Sequence, residues 1–211
     1  MVLVSHLYKF IYLKNYKVAG SSVESFFGQF CVDPGLKESY SFQDFQEEKI
    51  SSFGILGSRM GGHVTKWNNH KNANEILNDL GVDVFQHYFK FCVVRNPYDA
   101  MVSWYFWEKS TIDFKTFCKN FNYAFYSNLS RIFLDGEPIC QYYIRYENLV
   151  KDIVSVLEKL GISDYDVNTL PKHKSEFNPR DKSYQNYYDE ETREIVRKGF
   201  ETEIEFFNYK F

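Results

Sequence analysis

The sequence predicts an α/β protein of a single domain, residues 1–211, with a parallel β-sheet flanked by helices. Three observations carry this. Phe10-Ile11-Tyr12-Leu13, Phe89 to Val94 and Tyr142 to Tyr146 are apolar runs of strand length, and each leads into a segment with helix-start chemistry. Strands alternating with helices build parallel sheets, because each crossover lays its helix on a sheet face. A chain of 211 residues holds one such core and is short for two.

In chain order, residues 8–14 read as the first strand and 21–30 as the helix after it. Gly35 to Gln43 reads as a loop and Gly54 to Gly57 as a short strand. Residues 58–69 carry Gly, Asn and basic side chains without an apolar period, which reads as a surface loop. Ala73 to Leu80 has helical spacing and stops at Gly81. Phe89 to Val94 is nearly all apolar, as a strand covered on both faces must be.

Pro97 then sits just inside a helix that sets Met101, Val102, Tyr105 and Phe106 on one face. Another helix is expected over Asp113 to Phe121, and one from Glu147 to Leu160 ending at Gly161. Residues 168–187 look irregular. A last helix, Glu190 to Phe207, buries Val196, Phe200, Ile204 and Phe207.

A net charge of -3 and a pI near 6.0 give no argument for a nucleic-acid footprint, which needs a basic face, so any basic residues that matter are local. The 17 tyrosines and 21 phenylalanines are mostly core material. Cys31, Cys92, Cys118 and Cys140 are far apart without a CxxC pair, which suggests free thiols in a reducing compartment. The first seven residues are apolar but lack a basic leader and a small-residue cleavage site, and no stretch reaches membrane-span length. The expectation is a soluble, cytoplasmic protein.

Two loops carry chemistry. Lys17-Val18-Ala19-Gly20-Ser21-Ser22 sets a cation, a flexible glycine and two hydroxyls where a helix start offers unpaired N–H groups to an anion. A nucleotide triphosphate P-loop reads G-x-x-x-x-G-K-[ST]; here the lysine precedes the glycine and no glycine stands five positions before Gly20. That order disfavours a kinase. The second loop, Val93-Val94-Arg95-Asn96-Pro97 running to Ser103, offers a guanidinium fork that matches phosphate oxygens, or else a salt bridge to a neighbouring carboxylate.

Both loops resemble a known family. Residues 17–22 are similar to the K-[TV]-A-G-[TS]-S loop of sulfotransferases that use 3′-phosphoadenosine 5′-phosphosulfate (PAPS). Phe89 through Asp99 to Ser103 is similar to their F-x-F-x-x-V-R-N-P-[YWF]-D…S segment. Tyr146-Glu147-Asn148-Leu149 and Tyr187 to Thr192 extend the resemblance over most of the chain, towards the carbohydrate-type and small bacterial or viral-type branches. It implies a P-loop-like sulfotransferase fold and sulfuryl transfer from PAPS to a hydroxyl acceptor, a carbohydrate. The product would be adenosine 3′,5′-bisphosphate, with no metal required.

PAPS carries two anionic groups a nucleoside apart. Lys17 and the Ala19, Gly20, Ser21 and Ser22 turn suit the 5′-phosphosulfate, and Arg95 with Ser103 suits the 3′-phosphate. By resemblance Lys17 also stabilises the charge building on the leaving oxygen. The acceptor hydroxyl needs a base. His70, in Trp67-Asn68-Asn69-His70-Lys71-Asn72-Ala73, resembles the W-x-N-H-x-x-A pattern of small sulfotransferases and is preferred; His63, in Gly62-His63-Val64, resembles the G-H-V element of heparan-type 2-O-sulfotransferases.

Tyr146 would pack at the adenine, and Lys174-Ser175 resembles a K-S-x-x-R-P element bordering the cofactor, with Asn178 where the arginine is expected. Arg197-Lys198-Gly199 matches an R-K-G phosphate triplet but reads better as a solvated helix face. Glu24 reads as a first-turn helix carboxylate. Trp67, Trp104, Tyr105 and Trp107 suit either sugar stacking or packing. The competing functions are a small-molecule ATP-dependent kinase and a non-catalytic nucleotide-binding module.

Overall fold

The computed structural model describes residues 2–37, 40, 48–58, 66–68, 70–171, 173 and 183–211. The chain opens with a strand that sequence reasoning passed over, β1 (Leu3–Ser5), followed by β2 (Phe10–Leu13). Only residues 6–9 join them, too few for a parallel crossover. The two therefore pair antiparallel, Leu3 opposite Tyr12, with Lys9 at φ 52° in the turn. Three residues are too short a run to display alternation, so β1 left no periodic signal.

After β2 come α1 (Gly20–Gly28), a 3-10 turn at Gln29–Cys31, another at Pro34–Leu36, β3 (Lys49–Ile50) and β4 (Gly54–Leu56). Gly54 lets β4 lie tight against its neighbours: a Cβ there would stand 2.3 Å from the Val4 carbonyl oxygen and 2.7 Å from that of Cys31. Next are α2 (Ala73–Leu80), capped by Asn72 and Glu75 in a reciprocal box, α3 (Val82–His87) and β5 (Phe89–Val94). Then follow α4 (Pro97–Trp107), α5 (Phe114–Asn120), and the one-turn helices α6 (Tyr123–Tyr126) and α7 (Leu129–Ile132).

A small hairpin, β6 (Phe133–Leu134) with β7 (Glu137–Pro138), precedes β8 (Tyr142–Arg145) and α8 (Leu149–Lys159). Tyr146–Asn148 forms a 3-10 turn, so α8 begins two residues later than its sequence suggests. The expected last helix is two: α9 (Glu190–Gly199) and α10 (Glu201–Phe206) break at Phe200, which leaves helical geometry at φ -120°.

The main sheet is mixed, in the order β3-β4-β1-β2-β5-β8, which corrects the expectation of a parallel sheet. β2, β5 and β8 run parallel, as the three apolar runs imply, while β1, β3 and β4 add an antiparallel half. Alternation along the strands divides the core. Leu3, Phe10, Tyr12, Phe91 and Val93 face α1 and α8, whereas Val4, Ile11, Leu13, Cys92 and Val94 pack with Ile76 of α2 and Phe85 of α3. A third cluster joins α4, α5 and α9 without the sheet, through Met101, Trp104, Phe117, Cys118, Val196 and Phe200.

Among the described residues no helix is long and apolar enough to cross a membrane. Cys31, Cys92 and Cys118 are buried thiols and Cys140 is half-buried; all four are free.

Candidate functional site

Both chemical loops leave the carboxyl ends of neighbouring parallel strands, β2 and β5, where open α/β sheets present their ligand sites. The first loop has unusual backbone. Lys17 and Ala19 stand at φ 56° and 59°, in the left-handed region that costs a non-glycine residue about 1–2 kcal/mol. Ala19 then serves as the N-cap of α1 without a side-chain cap bond, and its carbonyl accepts from the Ser22 N–H at 3.0 Å. Gly20 packs closely on the Lys14 side chain, where a Cβ would come within 3.1 Å of Cγ.

Beneath this turn lies a buried ion pair. Lys14 Nζ meets Glu24 Oε2 at 2.8 Å, and Glu24 is 0% exposed. Glu24 is thus not the first-turn carboxylate the sequence suggested; it lies inward from the helix start and charge-matches the floor of the loop. Burial pushes its carboxyl up, but nearby positive charge, Lys14 included, outweighs this and holds it below the ordinary value. Its stabilising effect is therefore complete above the normal carboxylate range and is lost as pH falls through the lowered value.

Lys14→Met is expected to destabilise the fold by about 3–5 kcal/mol at neutral pH, since it strips a buried carboxylate of its lysine. The variant's Glu24 should lose much of the lowering of its pKa, so the gain in stability with rising pH that wild type shows across the acidic range should shrink. Urea melts at several acidic pH values and at neutrality test this; the same pH slope in variant and wild type would refute it.

The second loop meets the first directly. Arg95, 7% exposed, donates from Nη1 to the Lys17 carbonyl at 2.9 Å and from Nε to Asp99 Oδ2 at 2.7 Å. Its guanidinium carbon lies 4.0 Å from the centroid of the Tyr146 ring. The salt bridge considered as an alternative thus exists, yet it occupies only part of the fork: Nη2 is buried without a hydrogen-bond partner. A buried unsatisfied donor on a cation costs about 1–3 kcal/mol or more, and an anion oxygen would satisfy it.

Asn96 caps α4 by accepting from the Tyr98 N–H, Pro97 fills its first turn, and Ser103 lies two turns on, 7% exposed. Asn15 bridges the two strand ends, donating from Nδ2 to the Val93 carbonyl at 2.9 Å.

Lys17 and His70 flank a common aromatic wall. The Lys17 ammonium lies 4.3 Å from the Trp107 ring centroid and 5.2 Å from that of Trp104. Trp104 makes an edge contact with Tyr16, whose ring packs on the His70 imidazole at 4.1 Å. His70 Nδ1 lies 3.1 Å from the Lys14 carbonyl, which can only accept, so the proton is on Nδ1 and Nε2 carries the lone pair. Burial first, then the charges of Lys14 and Arg131, lowers its pKa to about 2 and keeps the ring neutral.

The remaining candidates divide. Tyr146 stacks on Arg95, and Ser22 accepts from the His173 N–H at 3.2 Å, which places His173 at the turn. His63, Lys174 and Ser175 lie outside the described residues. Arg197 pairs with Glu194 and Glu201 on an exposed face, the solvated arrangement expected of it. Trp67 and Trp104 are buried in packing clusters, while Tyr105 and Trp107 are half-buried. Sequence reasoning missed Tyr16, in the turn itself, and Asn128 and Arg131, which brace it from the start of α7, a one-turn helix too short to leave a periodic pattern.

No family model matches the chain, and no solved structure gives a significant match. A protein of Archaeoglobus fulgidus, described as an uncharacterized protein, is 32% identical over 103 residues, spanning 42% of this chain and 81% of the archaeal one. The two chains belong to one family. Membership beside the archaeal relative assigns no chemistry, so the reading of the site rests on its geometry.

Proposed function

We propose that this protein is a PAPS-dependent sulfotransferase acting on a hydroxyl acceptor, a carbohydrate, in a P-loop-like sulfotransferase fold. The single observation that carries the reading is the hydrogen bond from Arg95 to the Lys17 carbonyl, which joins two anion loops 78 residues apart while Arg95 Nη2 stays unsatisfied. The resemblance of both loops to the PAPS-using family supports it.

Residues fit the donor on two counts. The orphaned Arg95 nitrogen, with Ser103 on the following helix, suits the 3′-phosphate; the α1 start and Lys17 suit the 5′ end. The cleft beside them, lined by Asn15, Tyr16, Arg95 and Trp104, is about 30 Å³, room for water but not for a phosphate, so the 3′-phosphate reaches the buried Arg95 nitrogen only once the two loops part. When bound, PAPS supplies a sulfuryl group on a good leaving group.

The chain's part is electrostatic and acid–base. Lys17 offers its ammonium to the oxygen on which charge develops, in a setting that trades cation–π contact for a full anion. His70 presents Nε2, the nitrogen that carries the lone pair, to the acceptor hydroxyl. His63 is the alternative base, and turnover of His70→Ala against His63→Ala distinguishes them.

Calorimetry tests the donor assignment. Adenosine 3′,5′-bisphosphate is expected to bind without metal and at least tenfold more tightly than AMP, about 1.4 kcal/mol for the 3′-phosphate. Equal affinity for AMP would overturn the two-anion site, and magnesium-dependent ATP turnover would favour a kinase instead.

A further inference from the structure

We propose that Arg131, on α7, is a positioning residue that holds the candidate base His70 and the Lys17 turn in one fixed relation. The inference rests on the sulfotransferase reading for its function and on α7's own contacts for its geometry.

Arg131 is 6% exposed and spends its guanidinium on the site. Nε donates to the His70 carbonyl at 3.1 Å, Nη1 donates to the Ser127 carbonyl at 3.0 Å, and the guanidinium carbon lies 4.0 Å from the Tyr16 ring centroid. That same ring packs on the His70 imidazole. One residue before α7, Asn128 Oδ1 accepts the Tyr16 backbone N–H at 2.7 Å. This short segment therefore grips the residue preceding Lys17 by both backbone and ring, and grips His70 by its carbonyl.

Two features separate this from core filling. A buried cation costs more than an apolar side chain of equal volume, so stability alone does not call for arginine here. His70 and Lys17 both sit at positive φ, 59° and 56°, a conformation that persists only where surrounding contacts over-determine it. Arg131 bonds the His70 carbonyl itself, and Asn128 with Arg131 holds Tyr16, the residue before Lys17, whose own carbonyl is held by Arg95. The geometry also specifies arginine: a flat fork stacks on a ring and donates in its own plane at the same time, which a lysine ammonium cannot do.

The test uses the full chain carrying Arg131→Lys, Arg131→Met or Asn128→Ala, with melting curves to confirm folding. The first readout is the imidazole proton resonances of His70, assigned with His70→Gln. Stacking on Tyr16 shifts them upfield by ring current. The second is calorimetry with adenosine 3′,5′-bisphosphate.

Arg131→Lys is expected to fold, to lose most of the upfield shift, and to bind the bisphosphate about tenfold more weakly; Asn128→Ala should weaken binding likewise. Wild-type ring shifts and wild-type affinity in folded Arg131→Lys and Asn128→Ala would overturn the proposal. If Arg131→Met fails to fold, those two variants decide. A wild-type protein that binds no bisphosphate would sink the sulfotransferase reading alone, and the His70 shift in Arg131→Lys would still decide whether Arg131 sets the base.

Discussion

Arg95→Met is expected to lose at least 100-fold in affinity for adenosine 3′,5′-bisphosphate, about 3 kcal/mol, the largest binding effect of any single substitution in this site. The loss has three parts. The free Nη2 donor disappears, the bond that ties the Lys17 carbonyl to β5's end is cut, and Asp99 keeps a buried charge without its arginine. The difference between bisphosphate and AMP should shrink with it, because the 3′-phosphate is what Arg95 distinguishes. Arg95→Lys separates charge from shape: it can still neutralise Asp99 but cannot bond Asp99, the Lys17 carbonyl and a ligand together. Calorimetry on both variants, with melting curves to show that they fold, makes the comparison. Unchanged affinity in Arg95→Met would remove Arg95 from the site.

Lys17→Met should separate catalysis from binding. Turnover, followed as sulfuryl transfer from PAPS to a panel of sugar hydroxyls, is expected to fall by about 100- to 1,000-fold, the usual cost of removing a group that meets developing charge. Affinity for the bisphosphate product should change far less. Lys17→Gly is the companion variant. At φ 56° glycine relieves backbone strain, so this variant should match or exceed wild-type stability while losing the same turnover. A Lys17 that only shaped the loop would show the reverse, with activity retained in Lys17→Met. Because the ammonium lies over Trp107 and Trp104, indole fluorescence should also change when an anion draws the lysine away.

What the sequence made legible followed from the length and regularity of its signals. β5, α2 and α4 lie where periodicity and capping residues put them, since six or more residues with Pro97 or Gly81 as punctuation leave little choice. β1 escaped because a run of three residues carries no period, and that strand, pairing antiparallel with β2 and β4, turned the expected parallel sheet into a mixed one. In the site, the loops were visible because lysine, glycine, arginine and proline each have a local backbone consequence. The bracing of those loops was not. Glu24, Asn128 and Arg131 act through contacts that span 10 to 112 residues, and nothing in a neighbouring stretch of sequence marks such a partner.

The Asn15 bond to the Val93 carbonyl has a consequence for when the site comes into being. β2 and β5 are parallel neighbours separated by the whole of α1, β3, β4, α2 and α3, so their pairing closes a long loop before any contact offsets the lost entropy. Such pairings form slowly. A nascent chain emerging from a ribosome would complete the Lys17 turn's sequence long before Arg95 exists to hold it. Anion affinity should therefore arrive in one late step during refolding, together with the zipping of β2 onto β5, and the rate at which a bisphosphate-binding signal appears would report that step.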